Sequence, residues 1–494
     1  MDSLLHASIV EIAAGIRAGK FSPSEVIETY LRRAQSTQRT INAFSHLDAE
    51  GAMRRARAAD SAVLSNEILG PLHGVPLTIK SCIDVAGWPC EVGSLLRKGY
   101  IPQEDAPLVA RLKAAGAILL GNTNTPEYLM AYETDNLLYG KTSNPWDLSR
   151  SAGGSSGGEA AAIAAGCSAG GVGSDGGGSI RVPAHFCGIC GLKPTPGRIP
   201  ATGHFPSGAG AFSWLGLVGP MARTVGDLRI LFSVLFGPDP GDALSAPVPW
   251  HPVPENSPQD TYIGVLEGDA LGHATPEIVE SVQRAAKMLE AFGFKVEPFR
   301  LQGLDRAIEL WWFFFGTVIG HLFQKSASRQ KEQTSPVLRE FLEIATVDPA
   351  PSFDQFLGAC AERDNLRAQI LRQMKDAPIL LSPVSSTPAF RHGEGTWKGD
   401  AGYRETMRFS QWLNLTGFPG VALPISFSKD GLPIGVQLIG RPHEDELLLA
   451  VAEQLEESRG TAPSGARRLP RLGTGTRTGV ILGDIVGPTG DESD

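Results

Sequence analysis

Cysteine is scarce in this chain: there are 6 among 494 residues. Cys82, Cys90, Cys167, Cys187, Cys190 and Cys360 are too few for a disulfide-stapled scaffold and read as reduced thiols of a cytoplasmic protein. Cys187 and Cys190 form a C-x-x-C with no second pair, among apolar neighbours. That pattern reads as buried structural thiols rather than half of a zinc site. The 10 histidines are scattered, and no HExxH sequence occurs. No metal and no cofactor are expected. Positive charge is not in surplus either. With 44 Lys and Arg against 53 Asp and Glu, the net charge is −9, which argues against a general nucleic-acid binder. No apolar run reaches the roughly 20 residues that span a bilayer. The strongest run, residues 310–323 (LWWFFFGTVIGHLF), reads as a buried helix or as the wall of an apolar pocket, two compatible readings. A peripheral membrane contact is the weaker one. Residues 1–5 lack the basic start and apolar core of a signal peptide.

What the chain has in abundance is glycine, 58 residues, and the glycines cluster with serine in one stretch. Residues 151–183 read SAGGSSGGEAAAIAAGCSAGGVGSDGGGSIRVP. A Gly/Ser loop, residues 153–158, leads into an Ala-rich run of high helix propensity, residues 159–165. A second Gly-rich turn ends at Ser179. The first loop places unpaired backbone N–H groups at a helix N-terminus, and the second leaves its backbone open to a ligand. Two short patterns inside this stretch fail on context. Gly153-Gly154-Ser155-Ser156-Gly157 fits the G-x-S-x-G nucleophile elbow, but a polar loop, residues 144–150, stands where the elbow needs an apolar strand. Gly171-Val172-Gly173-Ser174-Asp175-Gly176 fits G-x-G-x-x-G, but the run before it reads as a helix rather than a strand.

Elsewhere, short apolar segments alternate with helical ones. Strands are expected at residues 74–80, 117–120, 261–267, 294–299 and 378–382. Residues 417–425 and 431–440 read as a paired-strand finish. Helices are expected at residues 107–115, 276–291, 336–345, 354–375 and 444–457. Ser22-Pro23-Ser24-Glu25 is a capping box with proline at the first helical position, so a break at residues 19–21 separates two N-terminal helices. Residues 50–63 continue as helix. The alternation indicates an α/β fold with a mixed sheet.

The Gly-Gly-Ser-Ser-Gly-Gly loop, the small-residue helix and Gly177-Gly178-Ser179-Ile180-Arg181, in that order, resemble the amidase signature family of serine hydrolases. The match runs on through residues 186–195 and covers about residues 5–458, weakest over residues 240–375. The resemblance implies one α/β domain over residues 1–458, a central mixed twisted sheet covered by helices on both faces. Length alone suggests about three domains. Residues 459–494 are Gly/Thr/Pro-rich and read as a disordered tail, dispensable for folding and activity.

Carried over by motif position, the resemblance makes Ser179 the nucleophile, Ser155 the proton relay and Lys80, which closes Gly74-Val75-Pro76-Leu77-Thr78-Ile79-Lys80, the base. It implies a cis peptide at Gly154–Ser155. It assigns the backbone N–H groups of Gly176, Gly177, Gly178 and Ser179 to an oxyanion hole, where one donor is typically worth about 3–4 kcal/mol, and it places Leu129 beside Ser179. A neutral lysine serves as a base only if burial lowers its pKa. Two departures stand out. Ser81 occupies a position that is acidic in many relatives, so that a carboxylate there is either missing or supplied by Asp84, and Gly176 replaces a usual Thr or Ile. Arg181 is expected to pair with Asp84, and Asp175 to accept backbone N–H groups. The implied activity is hydrolysis of carboxylic amides, with esters, aryl amides and carbamates within reach of the same acyl chemistry. Trp311, Trp312, residues 313–315 and Trp412 suggest an apolar acyl or aryl group. The alternatives are the glutamine-hydrolysing component of a tRNA-dependent amidotransferase, working with partner proteins, and a non-enzymatic pseudo-amidase scaffold. The expected partner is a small amide, ester or carbamate, with no nucleic acid and no integral membrane segment, in a monomer or homodimer.

Overall fold

The computed structural model describes residues 2–459 apart from 66, 68, 208–209, 211, 254–260, 267–272, 328–330 and 400–401. Eleven described strands pair into one sheet. They are β1 (Phe44–Leu47), β2 (Pro76–Lys80), β3 (Ile118–Thr123), β4 (Gly170–Asp175), β5 (Cys190–Lys193), β6 (Leu217–Ala222), β7 (Tyr262–Leu266), β8 (Lys295–Phe299), β9 (Ile379–Pro383), β10 (Gly420–Phe427) and β11 (Pro433–Gly440). Their order across the sheet is β1-β3-β2-β4-β6-β5-β10-β11-β9-β7-β8. β2 runs parallel to β3 and β4, and β7 parallel to β8 and β9, while the other neighbours are antiparallel. The sheet is therefore mixed.

Side chains alternate across a strand, and that alternation separates two apolar cores. Ile379 and Leu381 of β9, Val421 and Leu423 of β10, and Val436 and Leu438 of β11 join one core. Leu380, Ala422 and Ile439, between or beside them, join the other. Helices cover both faces. Ile9–Arg17, Pro276–Phe292 and Asp445–Arg459 pack on the first, Gly157–Ala164, Leu304–Trp312 and Arg408–Thr416 on the second.

The expected elements fall close to their predicted bounds, including Pro336–Ala345 and the β10–β11 hairpin. The Ser22–Glu25 capping box forms, with Glu25 N–H donating to Ser22 Oγ at 3.2 Å and Ser22 N–H to Glu25 Oε2 at 2.7 Å. Residues 310–323 bridge the helix Leu304–Trp312, a π-helical segment Phe313–Val318 and the helix Ile319–Ala327. No described helix is long and apolar enough to cross a membrane. Four strands escape sequence reading: β1, β4, β5 and β6. In β4, a central strand reading GGVGSD, glycines interrupt the row of side chains and blur any two-residue pattern. The glycines answer to packing: a Cβ on Gly171 would lie 2.1 Å from Glu159 Oε1, and one on Gly173 2.7 Å from Met221 Sδ. The expected tail, residues 459–494, lies outside the described residues but for Arg459, the last residue of its helix.

Candidate active site

Lys80 ends β2, and strand alternation sets its direction. Leu77 and Ile79 enter the first core, so Thr78 and Lys80 face the other side, where the helix Gly157–Ala164 lies. Lys80 is fully buried. Its Nζ lies 2.6 Å from Ser155 Oγ and 2.9 Å from Ser174 Oγ. Burial lowers its pKa to about 8, against the opposing pull of Cys82, Asp175 and Glu159. Ser155 stands in the loop just before the helix, after a cis Gly154–Ser155 peptide. Ser155, Ser179, Gly176 and Leu129 line one narrow cavity, with about 40 Å³ open to the centre of a water-sized sphere. Lys80 sits behind Ser155 rather than on the cavity wall.

Gly177 and Gly178 are also off the wall, and their peptide orientations are held from outside. Trp311 Nε1–H donates to Gly176 O at 2.9 Å, and Tyr132 O–H to Gly177 O at 2.6 Å. In a trans peptide the N–H points opposite to the C=O. Gly177 N–H is therefore turned away from Trp311, and Gly178 N–H away from Tyr132. The latter meets Asp175 Oδ1 at 2.6 Å. This corrects the expected donor set: Gly178 N–H is committed to a carboxylate. The N–H groups of Gly176, Gly177 and Ser179 make no such side-chain bond among the described residues.

Asp175 accordingly does tie down the loop, accepting from Ile180 N–H as well at 3.1 Å. It, not Asp84, pairs with Arg181, through Arg181 Nε to Oδ2 and Nη2 to Oδ1, each 3.1 Å. Both side chains are buried. Burial alone would raise the Asp175 pKa, but Arg181 and the Gly178 N–H hold it below the usual carboxylate range. Asp84 instead neighbours Cys90, Arg97 and His204. Removing one partner of a buried pair strands the other charge. Asp175→Asn is thus expected to lower unfolding stability by about 3–5 kcal/mol, read from the denaturant midpoint, and an unchanged midpoint would show the pair to be dispensable.

The aromatic residues divide. Phe315 lines the cavity and stacks on Trp311, ring centroids 4.6 Å apart. Trp412 does not reach the site: it is fully buried and packs on Phe418. Trp312 packs on Phe341 and Trp397, and Phe314 on Trp214 and Phe356. Residues 310–323 are therefore both a buried segment and, at Phe315, a cavity wall.

Sequence reasoning missed Ser174, Glu159, Tyr132 and His204. His204 lines the cavity, its Nδ1 lying 2.9 Å from Pro206 O. No local pattern marks any of the four, because each reaches the site from a different element. His185, six residues past Ser179, is a core residue. Gly435 N–H donates to its Nδ1 at 2.7 Å, and burial lowers its pKa to about 4. Cys187 and Cys190 are buried and form no disulfide. Among the described residues, no three His, Cys, Asp or Glu side chains converge as a metal site would require.

Comparison with known proteins identifies the family. The Amidase family model matches residues 25–449. The A component of the glutamyl-tRNA(Gln) amidotransferase of Chloroflexus aurantiacus is 34% identical over 485 residues, covering 92% of this chain and 96% of that protein. Among solved structures, a chain of a vestigial protein complex bearing on the evolutionary origins of an s-triazine catabolic enzyme superposes with a TM-score of 0.83 at 31% identity, covering 95% of this chain and 100% of that one. A fatty acid amide hydrolase superposes with a TM-score of 0.84 at 26% identity, covering 93% of this chain and 86% of that one.

Proposed function

This chain belongs to the amidase family, whose members act on carbon–nitrogen bonds as hydrolases or amidotransferases, and from that premise we propose that it is a serine amidase working through an acyl-enzyme on Ser179. The observation that carries the reading is the 2.6 Å contact of buried Lys80 Nζ with Ser155 Oγ, at the back of a cavity that Ser155 and Ser179 share. Ser179 Oγ attacks the amide carbonyl as Ser155 takes its proton and passes one to neutral Lys80. The N–H groups of Gly176, Gly177 and Ser179 receive the oxyanion. Lys80, through Ser155, then protonates the leaving amine, and water enters by the same relay to release the acid. The domain is residues 1–458, and no metal or cofactor takes part.

The substrate is an apolar amide, aryl or alkyl. Support comes from Leu129, Met130, Leu215 and Phe315 on the cavity wall, where the only ionisable side chains besides tyrosine among the described residues are Asp175, already paired, and His204. Gly176 sets the width: a Cβ there would meet Phe315 Cε2 at 3.4 Å. Gly176→Ile should cut kcat/KM for an aryl amide by about 10–200-fold, the range that methylene-scale changes in an apolar pocket produce, and spare acetamide. Equal losses on both would assign Gly176 no part in selectivity.

The second reading is the glutamine-hydrolysing component of a tRNA-dependent amidotransferase, favoured by the identity of curated relatives such as that of Chloroflexus aurantiacus. Glutamine brings an α-carboxylate and an α-ammonium, which lose solvation on entering a cavity and need partners there. The described wall offers the carboxylate no lysine or arginine. The test is a screen of the purified chain alone against aryl amides, fatty amides, carbamates and glutamine. Turnover of apolar amides without partner proteins supports the amidase, and hydrolysis confined to glutamine, with partners added, supports the amidotransferase.

Because the base must be neutral, kcat/KM should rise with pH through a midpoint near the lowered Lys80 pKa of about 8 and level off above it. Below the midpoint it should fall about tenfold per pH unit. A pH–rate profile flat from pH 6 to 9 would remove neutral Lys80 from the mechanism.

A further inference from the structure

We propose that Glu159 is a positioning residue for the Lys80–Ser155 contact: its carboxylate ties the helix that begins just after Ser155 to the strand ends that carry and flank Lys80. The inference rests on the roles proposed for Lys80 and Ser155. Glu159 lies in the first turn of the helix Gly157–Ala164 and is fully buried. One carboxylate oxygen accepts from Thr78 Oγ1, the other from Thr123 Oγ1 at 2.8 Å. Thr78 is two residues before Lys80 on the same face of β2. Thr123 is the register partner of Lys80 on β3. The two bonds thus cross from helix to sheet at the level of the lysine. The third strand makes room for them: a Cβ on Gly171 of β4 would stand 2.1 Å from Glu159 Oε1. The loop that presents Ser155 enters this helix, so the bonds that seat the helix also set where Ser155 meets Lys80.

A buried carboxyl with only hydroxyl partners is costly. An apolar residue would fill the same space without that penalty, which points to an electrostatic role beside the mechanical one. The charged and titratable groups on the elements around Glu159 are Lys80 on β2, Cys82 just beyond it, Asp175 at the end of β4, and Arg181, His185 and Cys187 on the helix Arg181–Cys187. Asp175 and Arg181 are paired with each other, and His185 is held by Gly435 and Thr387. Lys80 is the remaining basic neighbour, and its close contacts are to the hydroxyls of Ser155 and Ser174. Burial raises the Glu159 pKa to about 8, with Thr78, Thr123 and Lys80 opposing, the same region as Lys80 itself. This is also the answer to the serine at position 81. The acid absent after the lysine is supplied from the helix by Glu159, acting on Lys80 alongside the Arg181-paired Asp175, and not by Asp84.

The test uses the rate at which a fluorophosphonate labels Ser179 as a function of pH, which needs no identified substrate. Glu159→Gln keeps the shape and removes the charge. Without the carboxylate the Lys80 ammonium is less favoured, so the midpoint of the labelling profile should move to lower pH. The plateau should fall about tenfold, as the loosened relay loses about 1.4 kcal/mol of alignment. Thr123→Val, which removes one hydroxyl without changing shape, makes the carboxylate harder to ionise and should shift the midpoint the same way by less. It also serves if Glu159→Gln does not fold. A purely structural role would lower the plateau and leave the midpoint in place. Wild-type profiles in both variants, or lower plateaus with unmoved midpoints, overturn the inference. Lys80→Ala is run alongside: if it labels like wild type, the Lys80 reading itself has failed, and if it is silent while Glu159→Gln is wild type, only the Glu159 step has.

Discussion

Ser179→Ala should abolish turnover while leaving the fold intact, a loss on the order of 10⁴-fold or more in kcat, as for other serine hydrolases stripped of their nucleophile. Ser179 has little exposed surface, and the contact it makes to the opposite loop is through its backbone, Ser156 N–H donating to Ser179 O at 3.2 Å. Removing Oγ costs the nucleophile and no described side-chain hydrogen bond, so the melting temperature should stay within a few degrees. A fluorophosphonate should label wild type at Ser179, identified by peptide mass, and should not label the alanine variant. Labelling at Ser155 instead would make Ser155 the nucleophile and reverse the two serine roles. An active Ser179→Ala enzyme would end the acyl-enzyme reading.

Lys80→Arg should be nearly as damaging as Lys80→Ala, with losses on the order of 10³-fold or more on an amide. Arginine keeps the charge but cannot give up its proton at any working pH. It must also fit a fully buried site already closed by Ser155 and Ser174. Were Lys80 only a structural cation, any loss in Lys80→Arg would reflect fit alone and fall equally on every substrate. The chemistry adds a second signature. An amine leaves only if protonated, whereas 4-nitrophenolate leaves unaided, so Lys80→Ala should lose more on an anilide than on the matched nitrophenyl ester. The measurement is kcat/KM for both variants on both substrates. Equal losses would remove the acid role, and a fully active Lys80→Arg enzyme would remove Lys80 altogether.

How far the chain could be read without its structure depended on whether a feature is local. The capping box at Ser22 and Glu25 was legible because its partners are three residues apart. So were Pro336–Ala345 and the β10–β11 hairpin, whose periodicities are written in contiguous side chains. β4 was not, because glycine carries no pattern and the strand exists through its neighbours β2 and β6. The pairing of Arg181 was misjudged for a similar reason. Asp175 is only six residues away, but the turn that brings the two together had to be built first. Trp412 was assigned to the pocket on composition, and its burial against Phe418 is a matter of which way the helix Arg408–Thr416 faces.

Read alone, the chain yields an α/β class, a serine- and glycine-rich centre and, through one long motif, three candidate residues in Lys80, Ser155 and Ser179. These follow from local propensity and motif order, which need no knowledge of what lies across the sheet. It takes the folded molecule to show that Lys80 meets both Ser155 and Ser174, that Glu159 accepts from Thr78 and Thr123, that Gly178 N–H belongs to Asp175, and that Phe315 is the aromatic wall. One cause underlies all four. Each is a short-range contact between residues far apart in the chain or turned by a loop. Hydrogen bonds and burial are decided over about 3 Å, a scale on which sequence separation carries no information until the sheet and the helices on its two faces have brought the partners together.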